Sequence, residues 1–264
     1  TSQNCWPSVK FDVGAINNFL SKLFPAGFYY KTFKWPKSFW YKIYEPLIRK
    51  AAGLGIASIE KDRERYEHKY EYCDLLVTGS GPAGLSSTYA AAKNGAKVIL
   101  VEDKPRFGGT LLTDDVTIDN LSGKAWTDKI INELKKMPNV IVKNRSQVFG
   151  YYDHNMTVMI ERTGDHLKDK PKYIPRQRLW YIRAKEVLLS TGSIERPIVF
   201  GNNDTPGVFL SAAVKEYMKV YGVLVGKKPL IFTNNDSAYE TALEFKKQGI
   251  DPIILDTREE HSSE

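Results

Sequence analysis

Leu75-Leu-Val-Thr-Gly-Ser-Gly-Pro-Ala-Gly84 decides the fold, because an apolar strand runs directly into a G-x-G-x-x-G turn and an alanine-rich, helix-forming segment. Each glycine has a task there. Gly79 permits the tight reversal, Gly81 lets the main chain approach a pyrophosphate, and Gly84 lets the new helix pack closely on the strand. A phosphate at this helix start meets unpaired N–H groups and the positive end of the helix dipole, so it needs no Lys or Arg.

Working outward, the helix ends between Ala91 and Gly95, and Ala96-Lys-Val-Ile-Leu-Val101 reads as a second buried strand closed by Glu102. Eighteen positions separate Gly84 from Glu102, close to the spacing at which an acid accepts hydrogen bonds from the adenosine ribose. A carboxylate there disfavours a ribose 2′-phosphate, so NAD or FAD is preferred to NADP, with Lys104 and Arg106 near enough to weaken that preference. The plain alternative makes Gly81 a loop glycine and Glu102 a solvated strand-end charge. The ordered series of strand, turn, helix, strand and acid argues against it.

A chain of 264 residues, 42% hydrophobic and 26% charged, has the composition of a folded soluble protein. It holds no apolar run of membrane-spanning length and no targeting pattern at Thr1-Ser-Gln-Asn-Cys-Trp-Pro7, so a cytoplasmic location is expected. Cys5 and Cys73 form no metal or disulfide pattern and read as structural thiols. The charge of +7 is spread along the chain, which favours a solvated surface or a face toward an acidic subunit over nucleic acid.

The first 70 residues differ in character. Phe11–Phe24 has helical intervals after an Asp12 cap, and Ser38–Leu54 predicts a helix that Pro46 kinks or restarts. The aromatic and Lys-rich run from Phe24 to Tyr44 suggests an arm packing on the next domain or on a partner, rather than a nucleic-acid or membrane surface. Ile59–Tyr72 reads as a charged, solvated connector, with His68 at the surface.

After Glu102, the loop Asp103-Lys-Pro-Arg-Phe-Gly-Gly-Thr110 is similar to that of two-dinucleotide-domain flavoproteins, with Gly108 and Gly109 allowing close backbone approach to a ligand. In the disulfide reductases of that superfamily a cysteine pair follows the double glycine; Thr110–Val116 contains none, which excludes dithiol chemistry. Trp126–Met137 predicts a helix and Val140–Lys143 a strand. Ser146–Tyr152, Thr157–Arg162 and Arg178–Ala184 predict a meander. Lys185-Glu-Val-Leu-Leu-Ser-Thr-Gly-Ser-Ile-Glu-Arg-Pro197 follows as a further strand and small-residue turn. Pro229–Thr233, Ala238–Gln248 and Pro252–Asp256 then predict a second strand, helix and strand. Their loop Thr233-Asn-Asn-Asp-Ser-Ala238 lacks the glycines a pyrophosphate needs, so this second site reads as degenerate and Asp256 as vestigial.

The expected fold is therefore α/β: a three-layer, two-dinucleotide-binding-domain flavoprotein fold of the FAD/NAD(P)-binding kind, with an aromatic arm. Its domains are expected at 1–70 (arm and linker), 71–200 (first dinucleotide domain with meander) and 201–264 (a truncated, degenerate second domain), and the chain reads as part of a longer polypeptide.

Further segments carry a narrower likeness: Trp6-Pro-Ser with Phe11-Asp12, Phe24-Pro-Ala-Gly-Phe-Tyr-Tyr-Lys-Thr-Phe33, Tyr44-Glu-Pro with Ile48-Arg, Ala51-Ala-Gly-Leu-Gly55, Ser190-Thr-Gly-Ser-Ile-Glu-Arg-Pro197, Gly201-Asn-Asn-Asp-Thr-Pro-Gly-Val208 and Thr233-Asn-Asn-Asp-Ser-Ala-Tyr239. On these the chain resembles the alpha subunits of heterotetrameric sarcosine oxidases. The resemblance implies an enzyme of alpha, beta, gamma and delta subunits that oxidises sarcosine to glycine. FAD and FMN carry the electrons to oxygen, and tetrahydrofolate takes the methyl carbon; methylenetetrahydrofolate and hydrogen peroxide are formed. It places the sarcosine and tetrahydrofolate sites outside this stretch.

The resemblance further implies NAD in the first glycine-rich site, in a structural or regulatory role because the degenerate second loop closes the hydride route. Carried over by position, the contacts are Gly79, Gly81, Pro82, Ala83 and Gly84 at the pyrophosphate, Glu102 and Asp103 at the ribose, and Gly109 and Thr110 in the double-glycine loop. Arg106, Val148, Thr191 and Gly192 complete the set. The order Glu102-Asp103 departs from the family's usual Asp-Glu. The residues alone leave NAD and FAD open, since both present adenosine diphosphate to the same glycines. A related amine, opine or proline dehydrogenase subunit is the alternative, and a nucleic-acid or membrane interaction module is a third. No metal site, general base or nucleophile emerges; Ser190, His154 and His166 read as loop or surface residues.

Overall fold

The structure, a computed structural model, describes residues 6–8, 10–23, 27–28, 33–53, 55–203 and 205–258. The chain divides into two units, residues 1–61 with 197–210 and residues 62–196 with 211–264.

In the first unit the Asp12 carboxylate accepts hydrogen bonds from the Gly14 and Trp6 N–H groups and caps a 3-10 turn, Val13–Ala15. The helix expected over Phe11–Phe24 is broken: α1 covers only Ile16–Phe19, and a second 3-10 turn covers Ser21–Leu23. Gly14, Asn17 and Asn18 are poor helix formers; Phe24 lies outside the described residues. The Ser38–Leu54 expectation is closer. A π-helical turn, Trp40–Tyr44, leads into α2, Glu45–Ala52, which ends on Gly53 in the left-handed conformation. Pro46 has no N–H, so the ladder cannot continue regularly through it; Glu45 N–H bonds back to the Trp40 carbonyl, five residues away. Leu54 is not among the described residues.

The second unit is built on β1, Tyr66–Thr78. This corrects the connector expected over Ile59–Tyr72. Tyr66–Cys73 pairs only with the strand Gln177–Leu189, while Leu75–Thr78 has neighbours on both sides. A half-strand open on one edge keeps polar side chains, so it lacks the apolar signature of a buried strand. Side-chain pairs hold it instead: Tyr70 stacks on Tyr181 with ring centroids 5.1 Å apart, and Glu67 accepts from Arg178 at 3.0 Å.

From β1 the chain crosses through α3, Pro82–Lys93, to β2, Val98–Val101. A small ribbon follows, β3 Thr117–Ile118 with β4 Leu121–Ser122, then α4, Gly123–Leu134, capped by Ser122. Then come β5 Val140–Lys143, β6 Ser146–Tyr152, β7 Met156–Arg162 and β8 Gln177–Leu189. One six-stranded sheet results, in the order β5-β2-β1-β8-β7-β6, with β5, β2, β1 and β8 parallel and the meander strands antiparallel. The two strands expected at Arg178–Ala184 and Lys185–Leu189 are thus a single strand, which pairs β7 along its first part and β1 along nearly its whole length.

The core is double. One cluster joins Val77, Val98 and Leu100 of the sheet to Leu85 and Ala92 of α3 and to Trp126, Ile130 and Leu134 of α4. The other joins Cys73, Leu76, Ile99 and Val101 to Met159 and Ile182 of the meander. Helices therefore cover one face of the parallel strands, and on the other face their side chains pack with those of the meander strands of the same sheet. The same unit holds α5, Ser211–Tyr221, then β9, Leu230–Thr233, α6, Ser237–Lys247, and β10, Ile253–Asp256, with β9 and β10 a parallel pair.

Candidate functional site

The three glycines of the first turn face different surroundings. A β-carbon on Gly79, whose φ is +102°, would lie 2.3 Å from the Ser190 carbonyl oxygen. On Gly84 it would lie 1.9 Å from the Gly79 carbonyl oxygen, whereas on Gly81 it would meet nothing within 4 Å. Gly79 and Gly84 are therefore required by the protein's own packing. Gly81 leaves open space at the start of α3, where no side chain caps the helix and Pro82 and Ala83 are exposed. That opening suits an anion bound through main-chain N–H groups.

Ser190 backs the turn, its hydroxyl donating to the Thr78 and Gly79 carbonyls at 2.9 and 3.0 Å. Thr191 and Gly192 follow it, both exposed. Gly109 closes against the other side of the turn: its β-carbon would stand 3.1 Å from Gly81 Cα, and Thr110 beside it is exposed. Val148 sits on β6 and packs, half-buried, against the second core cluster. Turn, helix start, Ser190 strand end and double-glycine loop thus converge.

Glu102 stands at the tip of β2, 6% exposed. Its Oε2 accepts from the Ser80 N–H at 3.0 Å and the Ser80 hydroxyl at 2.5 Å; its Oε1 accepts from the Lys104 N–H at 3.0 Å. A carboxylate offers roughly four acceptor sites, so capacity for a further donor remains. Burial pushes this carboxyl above its ordinary range and the neighbouring Asp103 adds to the rise, against the Ser80 and Lys104 donors. The cations that weakened the case against NADP are engaged elsewhere: Lys104 pairs with Glu216 at 2.7 Å, and Arg106 donates to the Val220 carbonyl at 2.9 Å and lies over the Tyr221 ring.

The second turn is occupied by its own side chains. Asn235 Oδ1 accepts from the Ser237 N–H at 3.0 Å and the Ser237 hydroxyl at 2.6 Å, at the start of α6. Asp256 is bound by Arg258 and accepts from the Tyr239 hydroxyl at 3.1 Å, and the Arg258 guanidinium holds it well below the usual carboxylate range. Beside β9 and β10, a cleft of about 450 Å³ lined by Lys228, Leu230, Gly249 and Ile253 opens at the strands' starting ends, opposite the ends where such sheets bind ligands.

Cys73 is fully buried and its thiol is pushed up to about 12, in keeping with a structural role; Cys5 lies outside the described residues. Among the described residues, no group of three or more His, Cys, Asp or Glu is placed to hold a metal, and no helix is long and apolar enough to cross a membrane.

Fold and turn together define a dinucleotide-binding domain of the kind found in FAD-dependent oxidoreductases, and residues 74–155 match the sequence pattern of the family described as FAD dependent oxidoreductase. The L-proline dehydrogenase of P. horikoshii has the same fold, with a TM-score of 0.59 at 24% identity over 77% of this chain and 39% of that one. The chain is 48% identical over 258 residues to sarcosine oxidase subunit alpha of Rhizobium meliloti (strain 1021), covering 97% of this chain and 26% of that protein. It is 38% identical over 215 residues to the same subunit of Corynebacterium sp. (strain U-96), covering 80% and 22%. The chain belongs to the sarcosine oxidase alpha-subunit family, and it spans about a quarter of the length of the curated relatives it matches.

The residue that sequence reasoning missed is Ser80, whose role comes only from the buried carboxylate it meets in space; Asn235 belongs to the loop already expected to obstruct a pyrophosphate.

Proposed function

We propose that this chain is the portion of a sarcosine oxidase alpha subunit that holds an adenine dinucleotide, NAD in the first reading, at the turn formed by Gly79, Gly81, Pro82, Ala83 and Gly84. Glu102 and Asp103 receive the ribose, and Gly109, Thr110, Val148, Thr191 and Gly192 line the remainder. Arg106 plays a smaller part, since its guanidinium is spent on Val220 and Tyr221. The observation that carries this reading is the open space at Gly81 between two glycines whose space is filled. Engagement of Lys104 and Arg106 by α5 supports a ligand with a free ribose 2′-hydroxyl.

In this reading the complete enzyme joins beta, gamma and delta subunits and FMN and FAD in the cytoplasm. It converts sarcosine, tetrahydrofolate and oxygen to glycine, methylenetetrahydrofolate and hydrogen peroxide, with sarcosine and folate bound outside this stretch. The bound dinucleotide supplies redox capacity if it is FAD, and structural or regulatory contacts if it is NAD. This chain's own residues bind and orient its phosphates and ribose. The filled second turn, with Asn235 on the helix start and Arg258 on Asp256, supports one dinucleotide here rather than two.

FAD in the first site is the second reading, favoured by the family match over residues 74–155. Mass spectrometry of the ligand released from native protein decides between them: NAD is expected, FAD reverses the choice, and neither would remove the site. Sarcosine-dependent peroxide formation by the complete complex tests the activity, and turnover only with an opine or proline would replace it.

A further inference from the structure

We propose that Ser80, the residue between the first two glycines, is the positioning residue of the dinucleotide site: it orients the buried Glu102 carboxylate toward the ribose and latches the double-glycine loop onto the turn. This rests on the dinucleotide reading above and goes beyond it. Ser80 is fully buried, and its small side chain makes contacts that no apolar residue of its size makes. Its hydroxyl and N–H both donate to Glu102 Oε2, at 2.5 and 3.0 Å. The same hydroxyl accepts the Gly108 N–H at 3.2 Å, and the Ser80 carbonyl accepts it at 3.1 Å.

With Oε2 taken twice and Oε1 held once by the Lys104 N–H, the carboxylate is held at both oxygens and its spare acceptor capacity lies mainly on Oε1. A ribose hydroxyl therefore meets an acceptor already fixed in place, with less freedom to lose on binding. The Gly108 link gives Ser80 its second task, because Gly109 lies against Gly81. Donation to the ionised carboxyl also opposes the effect of burial. The charged groups around Glu102 are Asp103 beside it, Lys104 paired with Glu216, and, at the end of β5, Lys143 paired with Glu161.

The test titrates ADP-ribose, the part shared by NAD and FAD, into the full chain carrying Ser80→Ala, Glu102→Gln or both, with a thermal melt of each variant. Loss of a hydrogen bond to a charged group is expected to weaken binding about 10-fold for Ser80→Ala. The Ser80→Ala loss should deepen as pH falls from about 8 to about 5.5, because Glu102 then protonates more readily; Glu102→Gln should be flat over that range. The double variant should bind nearly as tightly as Glu102→Gln alone, since Ser80 acts mainly through that carboxylate and the Gly108 N–H keeps the Ser80 carbonyl as its acceptor when the hydroxyl is removed. Losses that add, or a Ser80→Ala loss independent of pH, overturn the positioning role. If Ser80→Ala does not fold, Ser80→Gly removes the same hydroxyl and is scored identically. If wild-type protein does not bind ADP-ribose, the dinucleotide reading itself falls; if wild type binds and only Ser80→Ala is silent, Ser80 alone is refuted.

Discussion

The turns at Thr78–Gly84 and Thr233–Ala238 both join a parallel strand to a helix, yet they treat the same unpaired N–H groups in opposite ways. At the first, the helix start carries no side-chain cap and Gly81 leaves room in front of it. At the second, Asn235 places its own oxygen there. The acids at the neighbouring strand tips differ in parallel. Glu102 is held by a hydroxyl and main-chain N–H groups, whereas Asp256 is neutralised by the Arg258 guanidinium. A βαβ unit always produces a helix start in need of an acceptor. Whether that acceptor is a ligand or part of the chain depends on the two or three side chains of the loop.

The sharpest way to break this comparison is to disturb a glycine whose absent side chain the fold requires. Gly84→Ala would put a methyl group 1.9 Å from the Gly79 carbonyl, and forcing atoms into a filled space costs about 3 kcal/mol. A urea titration should show that loss, and one under about 1 kcal/mol would mean that the turn relaxes around a β-carbon. Gly81→Ala isolates the other function of the turn. Its backbone (φ −67°) is open to alanine and nothing is near, so stability should change by less than about 1 kcal/mol. ADP-ribose affinity should nevertheless fall about 10-fold, equivalent to about 1.4 kcal/mol, because the methyl occupies the phosphate's approach. Unchanged affinity would remove Gly81 from the site.

The second turn provides the converse. Asn235→Ala removes the acceptor of the Ser237 N–H and hydroxyl at the start of α6 and should cost about 1 kcal/mol, read in the same urea titration, with ADP-ribose affinity unaltered. A fall in affinity would contradict the assignment of binding to the first turn alone.

Legibility in the sequence divides along similar lines. The first turn was readable because its information is local: an apolar run, glycines at fixed offsets, and an acid a strand later. The Val140–Lys143 and Ser146–Tyr152 strands were readable for the same reason, being short segments with a clear change at each end. The polar half of β1 was not, because Glu67, Lys69 and Glu71 lie on a ribbon paired on one side only, and such a strand needs no apolar alternation. Nor was the unity of β8, whose two halves answer to different partners. In the site, glycine positions were legible, but the partners of Ser80 and the capture of Lys104 and Arg106 by α5 were not. Those contacts join residues 22 to 114 positions apart, and no local pattern encodes them.

The smallest expected effect concerns how α5 and α6 are held beside the double-glycine loop. Asp115 pairs with both Lys219 and Lys247, and Lys215 bridges Asp114 at 2.7 Å and Glu240. Hydrogen bonds from Lys219 and Lys247 hold the Asp115 carboxyl well below its ordinary value of 3.8. A carboxyl depressed in the folded state adds stability that is present above its unfolded value and is lost as pH falls below about 4 toward the folded one. The side chain is 61% exposed, so solvent screens the pairs and their worth is under about 1 kcal/mol. Asp115→Asn should therefore lower stability slightly at pH 7, with the gap to wild type closing as the pH drops below about 4 and shrinking in about 1 M salt. A gap that persisted in acid and in salt would show that packing, rather than charge, secures these helices to the loop.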